Sequence, residues 1–188
     1  MKKIIILIAA VLIGVSANAQ SLKFAHVNFQ ELVQLMPEMD SARVQSEVAS
    51  QEAQETYQAM VQEFQTKYQQ FEQKQATWTP AVKESKQREL AEIQNRIQEF
   101  EQAIQQDMQQ LQNTLMAPII KKAQDTVNNM AKAKGFIYVF DSTSILYIDA
   151  TQSTDITKDA REVLGIAADK TMEGLQAELQ AKAQQVQQ

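Results

Sequence analysis

The chain has 188 residues and 44% hydrophobic content, enough for one modest domain, but only four glycines and three prolines to make turns, which implies few, long elements. Thirty glutamines, most of them between Gln45 and Gln124, and only 6% aromatics favour helices over a large packed core. A net charge of −5 argues against nucleic acid as a partner, and the lack of cysteine excludes a disulfide framework and a lipidated cysteine.

The N-terminus reads as an export signal over residues 1–19. "MKK" is a basic start, "IIILIAAVLIGVS" an apolar run, and "ANA" before Gln20 fits a small-x-small cleavage site, so cleavage is expected between Ala19 and Gln20. The apolar run, about 13 residues, falls short of the roughly 20 that span a bilayer, and a periplasmic address follows. Without Lys2 and Lys3 the remaining chain carries 16 basic against 23 acidic residues, a charge of −7.

The next residues, 20–36, open a small body. Leu22–Phe29 ("LKFAHVNF") reads as a strand. From 37 to 118 the pattern is that of an arm made of two helices. Tyr57, Val61, Phe64, Tyr68 and Phe71 follow a 4-3-4-3 spacing, and Leu90, Ile93, Ile97, Phe100 and Ile104 continue the rhythm. Met108, Leu111 and Leu115 follow after an extra step of four, a stutter that locally unwinds a supercoil. The two seams face each other if the chain reverses near 77–80, which sets Tyr68 against Leu90, Val61 against Ile97 and Tyr57 against Phe100. Thr79 can cap the second helix, and Pro80 suits its first position, where no amide donor is needed. Pro37 and Pro118 lie symmetrically about that turn and mark the root of the arm. At 1.5 Å per residue, residues 38–77 would extend about 60 Å, so the hairpin must protrude from something larger.

Residues 119–166 complete the body. Gly135 caps the returning helix, Phe136–Asp141 ("FIYVFD") and Ile145–Asp149 ("ILYID") read as strands joined by "STS", and a short helix follows with Asp155 or Thr157 as N-cap, packing Ile156, Ala160, Val163 and Leu164. Phe136, Ile137, Val139, Phe140, Ile145, Leu146 and Ile148 are apolar on both faces of their strands. One small helix cannot cover two faces, so burial against other subunits is expected. Such a core is also marginal alone. The last segment, 167–188, carries a thin Met172, Leu175, Leu179 stripe and reads as a helical, frayed tail.

Enzyme chemistry finds little footing, and no cofactor or metal is implied. His26 is the sole histidine and sits in a strand pattern without cysteine or clustered carboxylates, and there is no glycine-rich phosphate loop. The arm glutamates read as a solvated face, and the seam aromatics as packing of the hairpin. Met36, Met39, Met60, Met108 and Met116 could line a cavity, with core filling the favoured role. From Thr66 to Arg88, five basic residues (Lys67, Lys74, Lys83, Lys86, Arg88) face two acidic ones, making the tip locally +3. There Trp78 either folds over the hairpin end, against Val82 or Phe71, or touches another chain or a membrane headgroup region beside Lys74, Lys83 and Lys86.

An exported chain, a first strand ending in Val27-Asn28, "FQELVQLMPEMDSARVQSEV" entering a glutamine-rich hairpin, the return "APIIKKAQDTVNNMAKAKGFIYVFD" and "DIT" at Asp155–Thr157 resemble, in their order, the Skp/OmpH family of periplasmic chaperones for outer-membrane proteins. The fold class expected is α+β, mostly α, with a long antiparallel coiled-coil arm projecting from a small β-body that trimerises. The resemblance implies a homotrimer whose three arms enclose a cavity where unfolded outer-membrane proteins are held without ATP. Their apolar strand positions put Val27, Phe29, Phe136, Val139, Phe140, Ile145, Leu146 and Ile148 in that trimer body. The resemblance leaves client or anionic lipid contact to Lys74, Trp78, Lys83 and Lys86 at the tip. Two features depart from the best-known members: those are strongly basic, whereas this chain is acidic, and this chain runs about twenty residues beyond the final expected helix. A structural spacer or envelope-tethering coiled coil is the alternative, but a spacer gains nothing from folding back on itself.

Overall fold

The structure, a computed structural model, describes residues 22–186. The leader expected over 1–19, with its Ala19–Gln20 junction, lies outside them. Strand β1 (Phe24–Val27) leads into helix α1 (Phe29–Leu35), and α2 (Pro37–Lys74) and α3 (Pro80–Lys134) follow. Strands β2 (Tyr138–Asp141) and β3 (Ser153–Asp155), helix α4 (Thr157–Val163) and helix α5 (Met172–Val186) complete the order.

Local chemistry sets the boundaries. Asn28 ends β1 and caps α1, its side-chain oxygen accepting the Glu31 amide at 3.0 Å. Phe29 therefore opens a helix instead of extending the strand as the sequence suggested, and packs half-buried against the core. Met36 has extended backbone angles that break the helix, and Pro37 restarts it as the first residue of α2. Thr79 caps α3, accepting the Val82 amide at 3.4 Å, with Pro80 behind it. Gly135 ends α3 at φ 71°, a left-handed conformation that a side chain would strain. Pro118, expected to mark the root of the arm, lies inside α3, which runs on through it to Lys134.

The arm is the antiparallel pair α2 and α3. Ion pairs cross it in constant register: Glu38–Lys122 at the root, Glu63–Arg96 at 3.1 Å, and Lys67–Glu89 near the tip, each centred on residues 78–80. A two-helix pair hides only one stripe, so Tyr57, Val61, Phe64, Ile97 and Phe100 are half-buried, while Phe71 and Ile93 close the end. Tyr68 departs from the expected seam and is 48% exposed. It stacks on Phe64, one turn back, at 6.1 Å, and Lys67 takes the cross-arm contact.

The body is a three-stranded parallel sheet in the order β2-β1-β3. On its inner face Ala25 and Val27 meet Leu32, Leu35 and Met36 of the α1 region, Ile119, Ala123 and Val127 of α3, and Ile156, Ala160 and Leu164 around α4. Phe136 and Val139 pack on the same core. Val163, expected inside, is 66% exposed. The expected strand at Ile145–Asp149 is not one. Because β3 pairs with β1, on the far side from β2, the returning chain has to cross the sheet before β3 can start, and residues 145–149 have no ladder partner. The tail is more ordered than expected: α5 docks by Leu175, 7% exposed, with Met172 beside it on the body core.

Candidate functional site

Among the described residues, two surfaces stand out. The first is the outer face of the sheet. Alternation along β1 and β2 turns Phe24, His26, Tyr138 and Phe140 away from the core. Phe24 stacks on Tyr138 at 6.3 Å and Phe140 at 6.5 Å, and the latter two stack at 5.9 Å. Tyr138 is 60% exposed, and in the crossing segment Leu146 is fully exposed. Ile145 and Ile148 are half-buried there, beside a cleft of about 390 Å³ that also reaches Phe24, Phe140 and Tyr147. The eight body residues singled out in the sequence thus divide. Val27, Phe29, Phe136 and Val139 serve the inner core; Phe140, Ile145, Leu146 and Ile148 belong to the outer face. Phe24, Tyr138 and Tyr147, which the sequence reading passed over, join the outer set; for Phe24 and Tyr138, alternation with the core residues Ala25 and Val139 was the available signal.

His26 has closer partners than its sequence neighbourhood suggested. Its Nδ1 lies 2.9 Å from the Ser153 hydroxyl, and Nε2 lies 3.9 Å from the Asp155 carboxylate. The set names a serine, a histidine and an aspartate, but Asp155 is beyond hydrogen-bond reach of the ring and instead accepts the Thr157 amide at 2.8 Å. The ring therefore lacks the carboxylate that would orient it for nucleophilic catalysis. Among the described residues, no cluster of three or more His, Asp or Glu side chains could hold a metal ion.

The second surface is the arm tip. Helix α2 ends at Lys74, and residues 75–79 make the turn, with the Gln75 amide on the Phe71 carbonyl at 2.9 Å. Trp78 folds back so that its ring meets Phe71 edge-on at 5.8 Å, while Val82, the other packing candidate, is 41% exposed. The indole remains half-buried and borders a cleft of about 200 Å³ shared with Lys67, Lys74, Lys86 and Glu89. Lys74, Trp78 and Lys86 are brought together; Lys83 lies outside this cleft. Glu89 accepts from both Lys67 and Lys86, and these contacts, led by Lys67, hold its carboxyl below the usual range. Below the tip the shaft is acidic and wet: Glu52, Glu55, Glu92, Glu99 and Asp107 face solvent among glutamines.

Met36 is fully buried, and Met39 and Met116 pack on the body core, so these three thioethers fill the arm root. No helix among the described residues is long and apolar enough to cross a membrane.

A projecting helical hairpin rooted in a small sheet whose outer face is aromatic and bare defines an arm-and-body protein built for interaction. The family model for outer membrane protein (OmpH-like) matches residues 23–164, from the first strand to the end of α4, and the chain belongs to that family. Among curated proteins it is similar to the chaperone protein Skp of Yersinia enterocolitica, 26% identical over 147 residues that cover 78% of this chain and 88% of the relative.

Proposed function

We propose that this protein is an ATP-independent holdase of the periplasm. As a homotrimer joined through the outer faces of its sheets, it holds unfolded outer-membrane proteins between its arms and keeps them from aggregating in transit. The observation that carries this reading is the pairing of a bare aromatic sheet face with a hairpin rooted in the same body. Parallel sheets are ordinarily covered on both faces. If second and third copies supply the missing cover, three arm roots stand side by side and the arms project around a common space. Helix α2 alone, 38 residues, gives that space a depth of about 57 Å.

The arm surface suits a client that must be let go. Half-buried flanks of Tyr57, Val61, Phe64, Ile97 and Phe100 and a dense field of glutamine amides offer many small contacts and no deep pocket. Weak, numerous contacts break one at a time, so dissociation stays fast. Lys74, Trp78, Lys83 and Lys86 give the tip a basic, amphipathic surface for clients or anionic headgroups, while the acidic shaft confines such attraction to the tip. The family membership and the chaperone relative support the function class and the compartment. Light scattering during dilution of a urea-unfolded outer-membrane β-barrel protein tests the reading: added chain should suppress the rise, and no suppression over a range of salt would remove the holdase role.

A further inference from the structure

Helix α5 lies beyond residue 164, where the family match ends, so nothing in the family reading accounts for it. It sits at the arm root, where both passages between body and arm are weak. On the way out, the chain breaks at Met36 between α1 and α2, and Pro37 brings no amide. On the way back, Pro118 deprives α3 of one helical hydrogen bond. The two passages lie within about a turn of each other: Pro118 shares a small cleft with Ser41 and Ala42, one turn into α2 from Pro37. A broken helix beside a helix that lacks one hydrogen bond makes a natural pivot.

The C-terminal segment is fastened across that pivot. The Arg161 guanidinium pairs with Glu31 and donates to the carbonyls of Ala167 at 3.0 Å and Lys170 at 2.6 Å, which fixes the linker on the body. The Lys170 ammonium then spans the break. It donates to the Leu35 carbonyl, at the end of α1, at 3.1 Å, and to the Asp40 carboxylate, in the first turn of α2, at 2.5 Å. One turn into α5, Leu175 is buried in the same cluster as Met36 and Ala42, one on each side of Pro37. Farther out, Leu179 and Lys182 of α5 run beside Val44 and Glu47 of α2 across an open groove of about 650 Å³.

We infer that the C-terminal segment is a brace across the arm root, in which Lys170 and Leu175 tie the body helix to the first turns of the arm and hold the arm at one angle. The inference concerns the arm's freedom and stands independently of what the arms hold.

The absence of native cysteine makes the test direct. Gln65→Cys on the exposed side of the arm and Lys158→Cys on α4 carry spin labels in the full chain, refolded with excess unlabelled chain so that each assembly holds at most one labelled pair. Pulsed electron resonance reads the distance distribution, and hydrogen exchange reads the protection of α5 amides. In the parent, α5 is protected and the distribution is narrow; Lys170→Gln and Leu175→Ala should each deprotect α5 and widen the distribution about twofold. The Arg43 contact to the Gln34 carbonyl, 2.7 Å across the same break, stays in both variants, so any widening belongs to the C-terminal segment. Should Leu175→Ala fail to fold, Lys170→Gln, which removes no core side chain, decides alone. Deprotection of α5 with an unchanged distribution overturns the brace, and so does unchanged protection of α5 in the variants.

Discussion

Lys67 on the outgoing arm helix and Glu89 on the returning one form an ion pair across the seam, and Lys86, one turn before Glu89, closes on the same carboxylate at 2.7 Å. This triad sits directly below the Trp78 turn and fixes the register in which the two helices meet. Its ionisation gives the arm tip a pH dependence of known sign. The folded carboxyl of Glu89 is held below its ordinary value of 4.5, mainly by the Lys67 hydrogen bond, and the Lys67 ammonium is held above 10.5 by Glu89. The carboxylate's contribution is therefore present above pH 4.5 and lost as pH falls through the lower folded value. That of the ammonium is present below 10.5 and lost as pH rises through the higher folded one. Thermal melting followed by circular dichroism should show Glu89→Gln melting a few degrees below the parent at pH 7, the partial exposure of the triad keeping the effect small. The difference should close as pH falls well below 4.5. A gap that persists there would show that Glu89 acts by packing.

The two faces of β2 respond oppositely to charge. Tyr138→Glu or Phe140→Glu places a carboxylate on the bare outer face, and sedimentation equilibrium should move from three chain masses to one with helix content retained. Val139→Glu buries a carboxylate on the inner face, where an unpaired charge costs several kcal/mol, and should unfold the body instead. An unchanged mass for both outer variants would mean that another surface joins the copies.

Arg161 and Glu31 join α4 to α1 through a mostly buried ion pair, and the guanidinium satisfies two carbonyls besides. Arg161→Ala leaves the Glu31 carboxylate and both carbonyls without this donor and should cost roughly 2–3 kcal/mol in urea unfolding of the full chain. A loss under about 0.5 kcal/mol, within the range of ordinary surface substitutions, would mean that water replaces the guanidinium fully.

The single tryptophan reports on the tip alone. Phe71→Ala removes the ring against which Trp78 rests and should shift its emission to the red. Unfolded client or anionic vesicles should shift the parent's emission to the blue, and with vesicles Lys74→Glu with Lys86→Glu should abolish the shift. Emission that ignores both additions would leave Trp78 with its packing role only.

The arm was legible in the sequence because a two-helix seam is a local pattern. The spacing from Tyr57 to Phe71, the Thr79-Pro80 start and the Gly135 cap each follow from residues within a few turns, and the cross-arm ion pairs keep the register they imply. The body was less legible because its arrangement is settled by long-range pairing. "ILYID" has strand composition, yet the position of β3 beside β1 sends it across the sheet. "LKFAHVNF" has the alternation of a longer strand, yet Asn28 finds Glu31 and stops it. The tail read as frayed because its one buried leucine, Leu175, meets a groove that α2 and α3 build from residues far away in the chain. The tip lysines were identifiable by charge alone, but only the fold separates Lys83 from the Trp78 cleft.

Three arms assembled through the sheet face should together protect an unfolded client. The most direct measurement follows light scattering after diluting a urea-unfolded outer-membrane β-barrel protein into increasing amounts of the purified chain, beside its Phe140→Glu variant. Suppression should saturate near three chains per client for the parent and be lost in the variant that no longer assembles. Equal suppression by the dissociated variant would contradict the assembled cavity, and no suppression by the parent at any salt concentration would contradict the chaperone itself.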